Sequence, residues 1–160
     1  MSSPVTVDIF VEDRAHEAFL VPMLRRIAQE EKVVVTPRVR SGRGGHGRAV
    51  SELKLYQDLV RKGAAGTTDP DLLIAAIDGN CWTFARAKKA IAAATHAPFS
   101  DRLVVACPDP HVERWYLADP ESFKNVVGYR AGKNDPSLKS FVDELRSRLR
   151  VVHAARGDGD

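Results

Sequence analysis

Several things are scarce in this chain, and each scarcity closes off a class of protein. There are two cysteines in 160 residues, Cys81 and Cys107, with no C-x-x-C pair between them. A disulfide scaffold or a thiolate metal knot is therefore not expected, and two reduced, buried thiols are. No apolar run approaches the roughly 20 residues that cross a bilayer. The first residues, MSSPVTVDIF, carry neither the basic nor the apolar segment of a secretory signal. The expectation is a cytoplasmic protein that does not enter a membrane. No G-x-x-x-x-G-K-[ST] segment occurs, so ATP hydrolysis by this chain is not expected. Charge of one sign is also lacking: the net value is only +3, so the placement of the basic residues matters more than their number.

What remains is an ordinary globular composition, 44% hydrophobic and 28% charged, which predicts one domain over residues 1–150 and a flexible tail over 151–160. The central stretch is DLLIAAIDGN, Asp71–Asn80: an apolar run that stops at Asp78. Continuous apolarity suits a strand covered on both faces, as in a parallel sheet between helices. Strands are predicted at 5–11, 33–39, 72–78 and 102–107. Helices are predicted at Arg14–Glu31, Val50–Lys62, Trp82–Thr95 and His111–Leu117. A further short helix follows Asp119-Pro120, and a last one runs from Asp135-Pro136 to about Arg150. Alternation of the two element types implies crossover connections and a mostly parallel α/β sheet, about four core strands with helices on both faces. In the first helix the apolar stripe is read as Ala15, Phe19, Met23 or Leu24, and Ile27, with a kink or break before Pro22. Pro37 should bend the end of the second strand or mark a sheet edge.

Acidic residues collect at the strand ends. Glu12-Asp13 follows the first strand, Asp78 and Asn80 the third, and Asp109, His111 and Glu113 the fourth. In a parallel sheet these ends share one edge, where ligand sites of open α/β sheets lie. Carboxylates gathered there repel one another unless a cation joins them, which points to Mg²⁺ or Mn²⁺ held by oxygen ligands. Asp78 could equally serve only as a helix cap. Ser41–Arg48, SGRGGHGR, lies between the second strand and the helix after it. It matches G-x-G-x-x-G in form, but after the second strand and with no acid ending a strand about 20 residues later, so a dinucleotide site is not inferred. Its content is instead basic: Arg40, Arg43, His46 and Arg48 among glycines, suited to phosphate contacts or simply to a solvated loop.

Val11–Asp13 (VED), Asp78–Asn80 (DGN) and Pro108–Asp119 (PDPHVERWYLAD) together resemble the TOPRIM domain, and more closely the small stand-alone TOPRIM-like proteins of bacteria. The resemblance covers about Val5 to Val127. It implies a compact Rossmann-like sheet and Mg²⁺-dependent nucleic-acid phosphodiester chemistry, as in nucleases of the overcoming-lysogenisation-defect type. It also implies DNA before RNA as the nucleic-acid partner, and a separate ATPase of ABC or SMC type. Carried over, Glu12 matches the glutamate after the first strand and Asp78 the first aspartate of D-x-D. Asn80 stands where the second aspartate would be, a neutral ligand for a charged one, and Glu113 could restore that charge. Glu12, Asp78 and Glu113 are the catalytic candidates, these three with Asn80 the metal ligands, and Arg40, Arg43, His46 and Arg48 the phosphate contacts. Glu12 would act as general base or acid.

Two other readings stand beside this one. A degenerate fold of the same kind could bind nucleic acid or a partner without cleaving it, and Asn80 is its best argument. A phospho-acceptor receiver domain would also show acids after its first strand and an Asp ending its third. Here, however, Asp13 and Asp78 are 65 positions apart, the fourth strand ends in Cys107-Pro108, and no fifth strand ends in lysine. Trp115 and Leu117 are expected to be core residues rather than a base-stacking platform.

Overall fold

A computed structural model of the chain describes residues 3–41, 46–79, 83–116 and 136–157. The uninterrupted apolar run becomes β3 (Leu72–Ala76), every residue of which is buried. It lies inside a four-stranded sheet of order β2-β1-β3-β4, with β1 at Val5–Val11, β2 at Val35–Ser41 and β4 at Leu103–Ala106. All three pairings are parallel, in register Val7 with Leu72, Val5 with Val35 and Leu73 with Leu103. The expected α/β architecture with a parallel Rossmann-like sheet is thus the observed one. β2 is an edge strand, as Pro37 suggested, since proline has no N–H to give a second neighbour.

The two faces carry separate cores. One joins Val5, Val7, Ile9 and Val11 to Ile74, Val104 and to helices α1 (Arg14–Glu30) and α6 (Pro136–Gly157). The other joins Phe10, Leu73, Ile77 and Val105 to α2 (His46–Arg61), α3 (Phe84–Ala93) and Phe99 of the short α4 (Ala97–Ser100). A four-residue helix, α5 (Glu113–Tyr116), follows β4 and sets Trp115 in the first core. The Trp115 ring stacks on Phe141 and donates its Nε1–H to Ser137 Oγ at 2.8 Å, so it is packing, as expected; Leu117 lies outside the described residues. Gly63 takes a left-handed φ of +61° after α2, where Gly63 N and Ala64 N close the helix on the carbonyls of Val60 and Leu59.

Some boundaries differ from those read in the sequence. α1 is continuous through Pro22, which sits on its exposed side. Its buried stripe is His16, Leu20, Leu24, Ile27 and Ala28: Leu24 and Ile27 are as expected, while His16 and Leu20 take the places of Ala15 and Phe19, one position on. α2 begins at His46, so helix takes in the second half of the glycine- and arginine-rich stretch, while β2 extends to Ser41 at its start. α6 continues past Arg150 to Gly157 because Arg156 ties it to Asp71 and to the carbonyls of Ser3 and Pro4. Along α6, Phe141, Leu145 and Leu149 are buried at helical spacing, each burial worth about 1.5–3 kcal/mol. Arg146 and Arg150 pair with Glu30 and Glu31 at the end of α1.

Candidate metal centre

The parallel sheet delivers the ends of β1 and β3 to one edge, and with them two acids 66 positions apart in sequence. Glu12 N donates to Ala76 O at 3.0 Å, extending the ladder by one residue, and Glu12 Oε2 accepts from Asp78 N at 3.0 Å. Asp78 is only 8% exposed. Its Oδ1 accepts from Val112 N at 3.0 Å, and its Oδ2 lies 3.2 Å from His111 Nδ1. The segment after β4 is therefore folded over Asp78. Ile77 N to Ala106 O and Gly79 N to Pro108 O, at 3.1 and 2.7 Å, hold the β3 and β4 ends side by side.

The third member of the group was not expected. His16, on the first turn of α1, is fully buried, and one ligand atom each from Glu12, His16 and Asp78 lies within 4.8 Å of the others. His16 Nδ1 is 2.8 Å from Asp13 Oδ1. That carboxylate also accepts from the N–H groups of Ala15 and His16, which makes Asp13 the N-cap of α1. His16 Nε2 lies 2.9 Å from Asp78 Oδ1 but without hydrogen-bond alignment, and it makes no hydrogen bond among the described residues. A glutamate, an aspartate and a buried imidazole, arranged this closely, could hold a metal ion. Burial alone would lower the His16 pKa, but the carboxylates of Asp78 and Asp13 together hold it above its ordinary value. Asp13 is held below the usual carboxylate range: its partial burial works the other way, but the His16 ring and the capped N–H groups outweigh it.

The remaining candidates are distributed as follows. Glu113 is exposed and lines a cleft of about 530 Å³ with Asp78, Pro110, His111 and Arg114, on the same rim but outside the Glu12–His16–Asp78 group. Asn80 and Arg43 lie outside the described residues. His46 is the first residue of α2, and Arg48 is exposed on its first turn. Arg40 is in β2 and only partly exposed, its Nε 3.9 Å from Oδ2 of the fully buried Asp8. Asp8 also accepts from Arg38 Nε and Tyr56 Oη, so this face of β2 is pinned to β1 by a buried carboxylate. Asp109 accepts from Phe84 N at 3.1 Å, at the start of α3, and so has a structural partner of its own.

No family model, curated protein or solved structure matches the chain. The chemistry has to follow from the side chains at the sheet edge. Cys107, just past the end of β4, contributes none: burial pushes its thiol up to about 12, with Asp78 and Glu12 adding to the rise, so it is not a thiolate near neutrality. Sequence reasoning misses His16 because an apolar stripe drawn through Ala15 and Phe19 leaves the histidine off the buried face. The available signal was the spacing Asp13-x-x-His16, which sets an imidazole over the carboxylate that caps its own helix.

Proposed function

We propose that this protein carries out divalent-metal-dependent phosphodiester chemistry on nucleic acid, in the manner of a small TOPRIM-like nuclease subunit. The observation that carries the reading is the joining of Glu12 to Asp78 across the carboxyl edge of a parallel β1–β3 pair, the two acids to which the resemblance assigns metal binding. The donor set fits a divalent ion: two acids and a buried imidazole nitrogen that makes no hydrogen bond among the described residues. Such an ion, when bound, polarises a phosphate oxygen and makes a bound water more acidic.

The chain's own residues supply the rest. Glu12 and Asp78 would hold the ion, and the hydrogen bond from Asp78 N keeps Glu12 from swinging away. His111, half exposed in the cleft and hydrogen-bonded through Nδ1 to Asp78, is placed to move a proton at its other ring nitrogen. Glu113 and Arg114 border the same cleft, Arg114 offering a cation to a phosphate backbone. Arg48 adds positive charge on the first turn of α2.

Incubating the full chain with labelled single- and double-stranded DNA, with EDTA, Mg²⁺ or Mn²⁺, tests this. Cleavage that requires metal and falls at least about 100-fold in Asp78→Asn supports it. DNA that is bound but never cut under any metal would leave only the binding role that Asn80 suggests. Neither binding nor cleavage would refute the proposal.

A further inference from the structure

We infer that His16 is an inner-sphere ligand of this metal centre and that the centre is built for a divalent transition ion of the Mn²⁺–Zn²⁺ series rather than for Mg²⁺ or Ca²⁺. The inference rests on the reading of the sheet edge as a metal site, and goes beyond it by assigning the ligand atom and the class of ion.

Three observations converge on the imidazole. First, its Nε2 is fully enclosed yet makes no hydrogen bond among the described residues, although a buried polar atom ordinarily finds a partner. Second, Nδ1 is engaged by Asp13. A carboxylate on one ring nitrogen fixes the proton there and turns the lone pair of the other outward, which is how metal-ligating histidines are commonly oriented. Here the outward nitrogen lies 2.9 Å from Asp78 Oδ1, within the group that Glu12 completes. Third, the separation fits. Nε2 and Asp78 Oδ1 are 2.9 Å apart without hydrogen-bond alignment. Two donors on adjacent corners of an octahedron with bonds of about 2.1 Å sit about 3.0 Å from each other.

The class of ion follows from the nitrogen. Mg²⁺ and Ca²⁺ take oxygen ligands almost exclusively, whereas imidazole suits the later divalent ions. An oxygen-only site would gain nothing from a buried histidine at this position. Asp13 acts through His16 and is a positioning residue: it caps α1 and orients the ring with the same oxygen.

The test uses the full-length chain stripped of metal and loaded with one equivalent of Mn²⁺. Pulsed electron paramagnetic resonance then reads ¹⁴N coupling at the bound ion. The expected result is a coupled nitrogen in the parent protein and in His111→Gln, lost in His16→Gln. Mn²⁺ should be displaced by Zn²⁺ far more readily than by Mg²⁺. Asp13→Asn, which keeps the cap, should weaken Mn²⁺ binding by about 10–100-fold while hardly changing the weak Mg²⁺ affinity. If His16→Gln does not fold, the parent and His111→Gln spectra decide the matter without it. Bound Mn²⁺ with no ¹⁴N coupling, or a coupling that disappears in His111→Gln, overturns this inference while leaving a carboxylate metal site intact. If no divalent ion binds, this inference and the proposed function fall together.

Discussion

Asp8 ties β1 to both β2 and α2 through one buried carboxylate. It is fully buried in β1, and its carboxylate is shared by Arg38 and Tyr56, with Arg40 nearby. Asp8→Ala removes the only negative charge from that group. The Tyr56 hydroxyl loses its acceptor, at a cost of about 1–3 kcal/mol. Arg38 and Arg40 keep 25% and 37% of their side chains in solvent, so they can turn outward and are penalised less than wholly buried cations. Breaking a buried pair by removing one partner costs about 3–5 kcal/mol, and the lower part of that range applies here. In a domain of this size each kcal/mol lowers Tm by roughly 2–4 °C, so a fall of about 6–15 °C is expected. Urea unfolding of the parent, Asp8→Ala, Tyr56→Phe and the double variant measures it. The two substitutions should couple by about 1–2 kcal/mol, since both remove the same hydrogen bond. An Asp8→Ala protein within 1 kcal/mol of the parent, or two costs that simply add, would refute the reasoning.

Three further outcomes follow from the same structure. Burial and the Asp8 carboxylate raise the Tyr56 pKa above the usual phenol value, so Tyr56 should stay protonated where free tyrosine ionises. Its contribution to stability is complete below about pH 10 and is lost as pH rises toward the folded value, which absorbance at 295 nm of the parent against Tyr56→Phe will follow. Arg150 and Arg146 lower the pKa of Glu31, and Arg146 with Arg26 that of Glu30. Their support for α6 is therefore present above the unfolded glutamate value and lost as pH falls through the folded one, so amide exchange in α6 should accelerate before global acid unfolding. Cys107, fully buried and with its thiol pushed up to about 12, should resist iodoacetamide at pH 8 until the protein unfolds, as peptide mapping would show.

Much of the architecture is legible in the sequence because parallel strands buried on both faces leave an unmistakable trace. Leu72–Ile77 has no polar residue, and Val5–Val11 has two, Thr6 and Asp8. The acids that end these runs, Glu12 and Asp78, are legible for the same reason: polarity returns where the strand leaves the core. What local pattern cannot carry is the identity of distant partners. Asp8 looks like the polar half of an alternating strand, yet its partners come from β2 and α2. In α1, positions 19–20 and 23–24 are both apolar, so two adjacent stripes fit the sequence, and only packing against β1 selects the one that includes His16. The start of α2 was hidden because His46, Gly47 and Arg48 have no apolar face to display, and helix there follows from its continuation into Ala49 and Leu53.

The central claim is that Glu12 and Asp78 form one side of a metal centre. Isothermal titration of Mn²⁺ into metal-free protein addresses it most directly, with Glu12→Gln/Asp78→Asn as the comparison. The account predicts one bound ion per chain in the parent and none in the double variant, with circular dichroism unchanged between them. Equal binding by both proteins, or no binding by the folded parent, would contradict it.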